Sequence, residues 1–153
     1  MKMTMPNSSR ALTLYYAVLQ GAHLLVLGYG WRIYRLTGGI GFPAPPPLEG
    51  WSEQALHFML GNGAFDAIVA CTALFFVFGS LRGHPWSLPL GLVCVTASLA
   101  SGVFFAVGTA LSGAWRLHPL NYLGLVVVFS PVAFLFFELF RRAITSAGMS
   151  RSG

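Results

Sequence analysis

Four apolar stretches in this chain are each long enough to cross a lipid bilayer, and no other feature limits its fold so tightly. They run from Ala11 to Leu36, Glu53 to Leu81, Trp86 to Trp115 and Pro119 to Arg142. A helix needs about 20 apolar residues to span the hydrocarbon layer. Backbone N–H and C=O groups find no water there, so each stretch must satisfy its own by coiling into a helix. The expected fold is all-α: an integral membrane four-helix bundle over residues 11–143, between polar tails at 1–10 and 144–153. The first stretch is read as a span and not as a cleaved leader. Its apolar run outlasts a leader's core, and no small-residue cleavage site follows it.

Composition excludes the main alternatives. Only 8% of the 153 residues are charged, against about 25% in a soluble domain. Four acids and nine bases cannot cover a water-soluble globule of this size, which argues against a soluble enzyme, a disordered chain or a nucleic-acid binder. The formal charge of +5 is no phosphate-binding stripe, because the bases sit at the ends of apolar runs. Cys71 and Cys94 lie inside apolar runs, form no CxxC pair and read as packing residues.

The connections fit antiparallel spans. GGIGFPAPPP, beginning at Gly38, cannot continue a helix and reads as a stiff extended loop. Arg82 to Pro85 and Arg116 to Pro119 are short turns. With the N-terminus inside, Lys2, Arg10, Arg82, Arg141, Arg142 and Arg151 face the cytoplasm, and Arg32, Arg35 and Arg116 the other side. That bias puts both termini in the cytoplasm. Trp31, Trp51, Trp86 and Trp115 fall near span ends, as an interfacial belt requires. Eight Arg against one Lys point to a GC-rich coding sequence, hence a bacterial cytoplasmic membrane.

Ionisable side chains at mid-bilayer are costly and usually face a protein interior or cavity. Two occur here. His23 lies near the middle of the first span and Asp66 near the middle of the second. The two spans run in opposite directions, so both residues reach the same depth and can meet across a helix interface. Tyr16 and Gln20 share the face of His23, and Asn62 that of Asp66, one turn away. Gly61, Gly63, Ala64 and Ala67 allow close approach to the second helix. Ser98, Ser101 and Gly102 read as ordinary small-residue packing. Glu138 and Arg142 are spaced for an ion pair at a helix end. An aspartate beside a histidine in a dry site can share a proton, as proton transfer to and from an apolar substrate needs. The same pair can also simply tie two helices together. No His, Cys and acid spacing fits a zinc site, and no nucleotide-binding loop or nucleophile elbow occurs. A haem held by two histidines needs a second central His.

Four pieces in order carry a family likeness: GAHLLVLGYGW from Gly21, FDAIVACTALF from Phe65, LRGHP from Leu81 and HPLNYLGLVVVF from His118. Through them the chain resembles the EXPERA superfamily, which includes the emopamil-binding sterol Δ8–Δ7 isomerases and the sigma-2 receptor. The resemblance implies a helical bundle around a lipid-accessible cavity. It implies a cofactor-free isomerase that shifts a carbon–carbon double bond in a sterol or related polycyclic lipid by protonation and deprotonation. His23 matches the family's site histidine, and Asp66 falls where the family has a glutamate. Gln20 and Asn62 would orient that pair, while Phe104, Phe105, Tyr122 and Phe134 would line the cavity and steady a cation. Two positions depart from the pattern. The family's second carboxylate, four residues after the histidine, is Leu27 here, and its last-helix asparagine is replaced by Ser130-Pro131. The alternative is a non-catalytic lipid-binding or trafficking protein of the same fold; a third reading is an accessory subunit of a membrane complex. No metal is expected, and a homodimer fits the glycine-lined faces.

Overall fold

The computed structural model describes residues 7–41, 46–111 and 114–149. They form five helices: α1 (Asn7–Thr37), α2 (Glu53–Leu81), α3 (Ser87–Leu111), the single turn α4 (Ala114–Leu117) and α5 (Pro119–Met149). No strand occurs among the described residues. Helices α1, α2, α3 and α5 are each long and apolar enough to cross a membrane, and the chain is an integral membrane four-helix bundle. Around the bundle α1 packs on α2, α2 on α3, α3 on α5 and α5 on α1.

Local chemistry sets most helix ends. Ser52 caps α2, its hydroxyl accepting from the Ala55 N–H at 3.2 Å. Gly38 ends α1 with φ +73°, and its N–H donates to the Tyr34 carbonyl at 2.8 Å. Gly83, also at φ +73°, donates to Ser80 at 3.1 Å while His84 donates to Gly79 at 2.9 Å. That pair of bonds closes α2 and turns the chain into α3.

The outer helices outrun their apolar stretches. α1 begins at Asn7 and not at Ala11, because its first turn docks on α5. Ser9 is buried there and donates to Glu138 at 3.2 Å. Glu138 pairs with Arg141 at 3.0 Å, three residues on, where the spacing had favoured Arg142. α5 continues through Ser146 to Met149. Residues 1–6 and 150–153 of the two tails lie outside the described residues, as do 42–45 of the long loop. α3 stops at Leu111, short of the expected Trp115, which instead sits in α4.

The most extensive helix contact is between α2 and α3, and its glycines differ from those expected. A Cβ at Gly79 would run into Trp86, one at Gly91 into Phe76, and one at Gly108 into Phe58. Gly61 instead faces open space and Ala64 is exposed. A Cβ at Gly63 would stand 3.4 Å from Leu27 of α1.

Pro131 interrupts the α5 ladder by removing the N–H that would reach the Val127 carbonyl. Ser130 Oγ donates to that carbonyl at 2.8 Å. Tyr15 on α1 donates to the next one, Val128, at 2.6 Å. The freed backbone is therefore paired again by side chains, as a bilayer setting demands.

The interior is layered. At the end holding both termini, Tyr16, Phe76, Val95, Leu135 and Leu139 belong to one apolar cluster drawn from four helices. At the opposite end Tyr122 packs with Trp51, Phe105 and Trp115. A polar layer lies between them.

Candidate functional site

The polar layer follows from helix phase. On α1, Thr13, Tyr16, Gln20 and His23 recur at three- and four-residue steps and face inward. On α3, Cys94, Ser98 and Ser101 do the same. Asn62 and Asp66 share one face of α2.

Two hydrogen-bonded sets result. In the first, Tyr16 and Gln20 bridge the diagonal of the bundle to α3. Gln20 Nε2 donates to Ser98 Oγ at 3.3 Å. Ser98 Oγ and Tyr16 Oη lie 2.6 Å apart, and Tyr16 donates onward to the Cys94 carbonyl at 3.2 Å. Gln20 thus reaches Ser98, and among the described residues it makes no hydrogen bond to Asp66 or His23. Its side chain needs a partner at its own depth, and Ser98 supplies one.

The second set centres on Asp66. Its Oδ2 accepts from Asn62 Nδ2 at 3.0 Å, and its Oδ1 accepts from Ser101 Oγ. Ser101 Oγ also stands 3.3 Å from Asn62 Oδ1. His23 Nε2 lies 3.8 Å from Asp66 Oδ2. That is an ion-pair distance and longer than a hydrogen bond. Both side chains keep limited exposure, 19% for His23 and 15% for Asp66, so the pair is not sealed. The imidazole also meets Phe129 of α5 edge-on, with ring centroids 6.3 Å apart. Proton transfer needs about 2.6–3.2 Å, and such contacts are often loose without substrate.

The other expected site residues lie apart from the pair. Phe134 is 66% exposed on the outer face of α5, and Phe104 is exposed on α3. On α5 it is Val132, Leu135 and Leu139 that turn inward, which leaves Phe134 facing lipid. Phe105 and Tyr122 are interior but belong to the aromatic cluster at the loop end. Tyr122 stacks on Trp115 with centroids 5.2 Å apart. Its hydroxyl is buried with no hydrogen-bond partner among the described residues. Trp115 donates to Thr109 at 3.1 Å and Trp51 to the Ile40 carbonyl at 2.7 Å, which tie this cluster to the ends of α3 and α1.

Ser98 and Ser101 are the residues that sequence reading undervalued. The available signal was their three-residue spacing in an otherwise apolar helix, at a depth matching His23 and Asp66. Among the described residues no three His, Cys, Asp or Glu side chains converge as a metal-binding group. The chemistry on offer is hydrogen bonding and proton exchange.

Two open grooves mark the lipid-facing surface. The larger, about 590 Å³, runs between Phe58 and Asn62 of α2 and Val103, Phe104, Val107 and Leu111 of α3. The second, about 360 Å³, lies between Leu99 and Ala100 of α3 and Phe136 of α5, and shares Val103 and Phe104 with the first. No protein-family model, curated protein or solved structure matches the chain.

Proposed function

We propose that this membrane protein is a cofactor-independent isomerase that moves a carbon–carbon double bond in a polycyclic lipid such as a sterol. One observation carries the reading: at mid-span an aspartate, held by Asn62 and Ser101, faces a histidine 3.8 Å away, and both remain partly accessible. The pair delivers a proton to one alkene carbon, leaving a carbocation. It then takes a proton from the carbon on the far side of that centre. Protons and electrons balance, and no external reactant is consumed. Asp66 exchanges the proton with substrate, and His23 is its partner. Asn62 and Ser101 fix the carboxyl so that no reorganisation is needed during reaction. The ordered likeness to the EXPERA superfamily supports the same chemistry, and the Lys/Arg bias supports a cytoplasmic location for both termini.

A second reading is a lipid-binding or trafficking protein of the same fold. Leu27 favours it. This side chain packs toward Gly63 of α2, one turn from His23, where the resembling family has a second carboxylate. The two readings separate in proteoliposomes supplied with ring-olefin lipids. An isomerase turns them over, and Asp66→Asn lowers the rate by about 10²-fold or more while lipid still binds. A carrier binds lipid in both forms and turns over neither. Variants of Asp66 and His23 that change only thermal stability, with no lipid bound to the parent, contradict both.

A further inference from the structure

Among the described residues, the end of the bundle that holds both termini carries four arginines, Arg10, Arg82, Arg141 and Arg142, against one acid, Glu138. Arg141 takes that acid. Its Nη2 donates to Glu138 Oε2 at 3.0 Å, and the same oxygen accepts from Ser9 of α1 at 3.2 Å. A guanidinium has five N–H donors. Arg141 spends one of them on Glu138. Arg142, half-buried one residue on, makes no hydrogen bond or close ion pair with its guanidinium among the described residues. One carboxylate thus stands beside two adjacent cations. It also holds α1 to α5, the least extensive of the four seams between spans. A cation beside hydrocarbon is costly without an anion, so a second anion would complete this end.

The neighbouring side chains indicate its source. Phe137 lies four residues before Arg141 and Ile144 three after it, on the same face of α5, and both are exposed. That apolar ridge suits acyl chains. Arg142 lies four residues, about 6 Å, inside the end of the α5 span at Ser146. A long side chain reaches the headgroup layer from that depth. Guanidinium groups bind phosphate oxygens two at a time. A water-soluble anion matches the charge but leaves the apolar ridge uncovered. The excess of arginine at this end favours a headgroup of net negative charge over a zwitterionic one.

We infer that Arg141 and Arg142 form a binding site for the phosphate of an anionic phospholipid whose acyl chains lie along Phe137 and Ile144. The lipid supplies the anion that Glu138 cannot give to both arginines, and it fastens the α1–α5 seam at this end. The site is separate from the Asp66–His23 pair, and the inference does not depend on the proton-transfer reading.

The test is native mass spectrometry of the full-length protein, released from detergent micelles with added phosphatidylglycerol or phosphatidylcholine. One phosphatidylglycerol should be held at least about tenfold more tightly than phosphatidylcholine, and it should raise the unfolding temperature in detergent. Arg142→Gln should weaken that binding about tenfold and abolish the thermal gain. Arg82→Gln removes the same charge from the same end, where the guanidinium lies 3.9 Å over the Phe78 ring, and should leave both readouts unchanged. The soluble headgroup glycerophosphoglycerol, in excess, should not displace the lipid. Equal binding of the two lipids, an equal loss in Arg82→Gln, or displacement by the soluble headgroup overturns the inference. Should Arg142→Gln fail to fold, Arg141→Gln, at an exposed position, takes its place with the same expected loss.

Discussion

At the scale of single residues, Asp66 differs from every other acid in the described chain because both of its oxygens accept from side chains within the bundle. Ser101 supplies one of those donors from α3. Ser101→Ala should cost about 1–3 kcal/mol by leaving a buried acceptor unmatched, read as a lowered unfolding temperature in detergent, and Ser101→Thr should recover part of it. Tyr122 has the opposite sign. Its hydroxyl is buried without a partner among the described residues, so Tyr122→Phe should leave stability unchanged or raise it by about 1 kcal/mol. A loss of stability would mean that the hydroxyl is matched in the folded protein. The depth of His23 and Asp66 was legible in the sequence, because a charge among apolar residues marks its own height along the span. The roles of the serines were not. Serine in a membrane helix serves close packing as readily as hydrogen bonding, and only the facing helix decides which.

At the scale of elements, the four spans and most turns were legible, since apolar length, Ser52, Gly38 and Gly83 are local signals, whereas the single turn α4 was not. Rotational phase was not. A helix with lipid on one side and protein on the other is apolar all round, so nothing distinguished Phe134, which faces lipid, from Leu135, which is buried. The early start of α1 was equally hidden, because Ser9 depends on Glu138 of a helix far along the chain. The α5 break offers a direct check. Ser130→Ala removes the donor to the Val127 carbonyl beside Pro131 and should cost about 1 kcal/mol. Amide hydrogen exchange should rise locally around residues 127–132. Unchanged exchange would mean that the ladder does not depend on that hydroxyl.

At the scale of the whole molecule, two apolar clusters enclose a polar layer, so the bundle is held at its ends and chemically distinct in its middle. Alternating helices put Ser8 and the α2–α3 turn at one end, and Glu49 at the other. If Lys and Arg set the orientation, a cysteine at Glu49 should react with a membrane-impermeant maleimide in intact cells. A cysteine at Ser8 should react only after lysis, and the reverse pattern inverts the topology. The proposed isomerase activity depends most on a proton passing between the Asp66–His23 pair and a lipid carbon. That transfer is read by running a ring-olefin lipid with the reconstituted protein in deuterated water and locating deuterium in the product. Deuterium at the newly protonated ring carbon, absent with Asp66→Asn and greatly reduced with His23→Ala, is the expected result; product that forms without ring deuterium, or labelling that persists in Asp66→Asn, contradicts it.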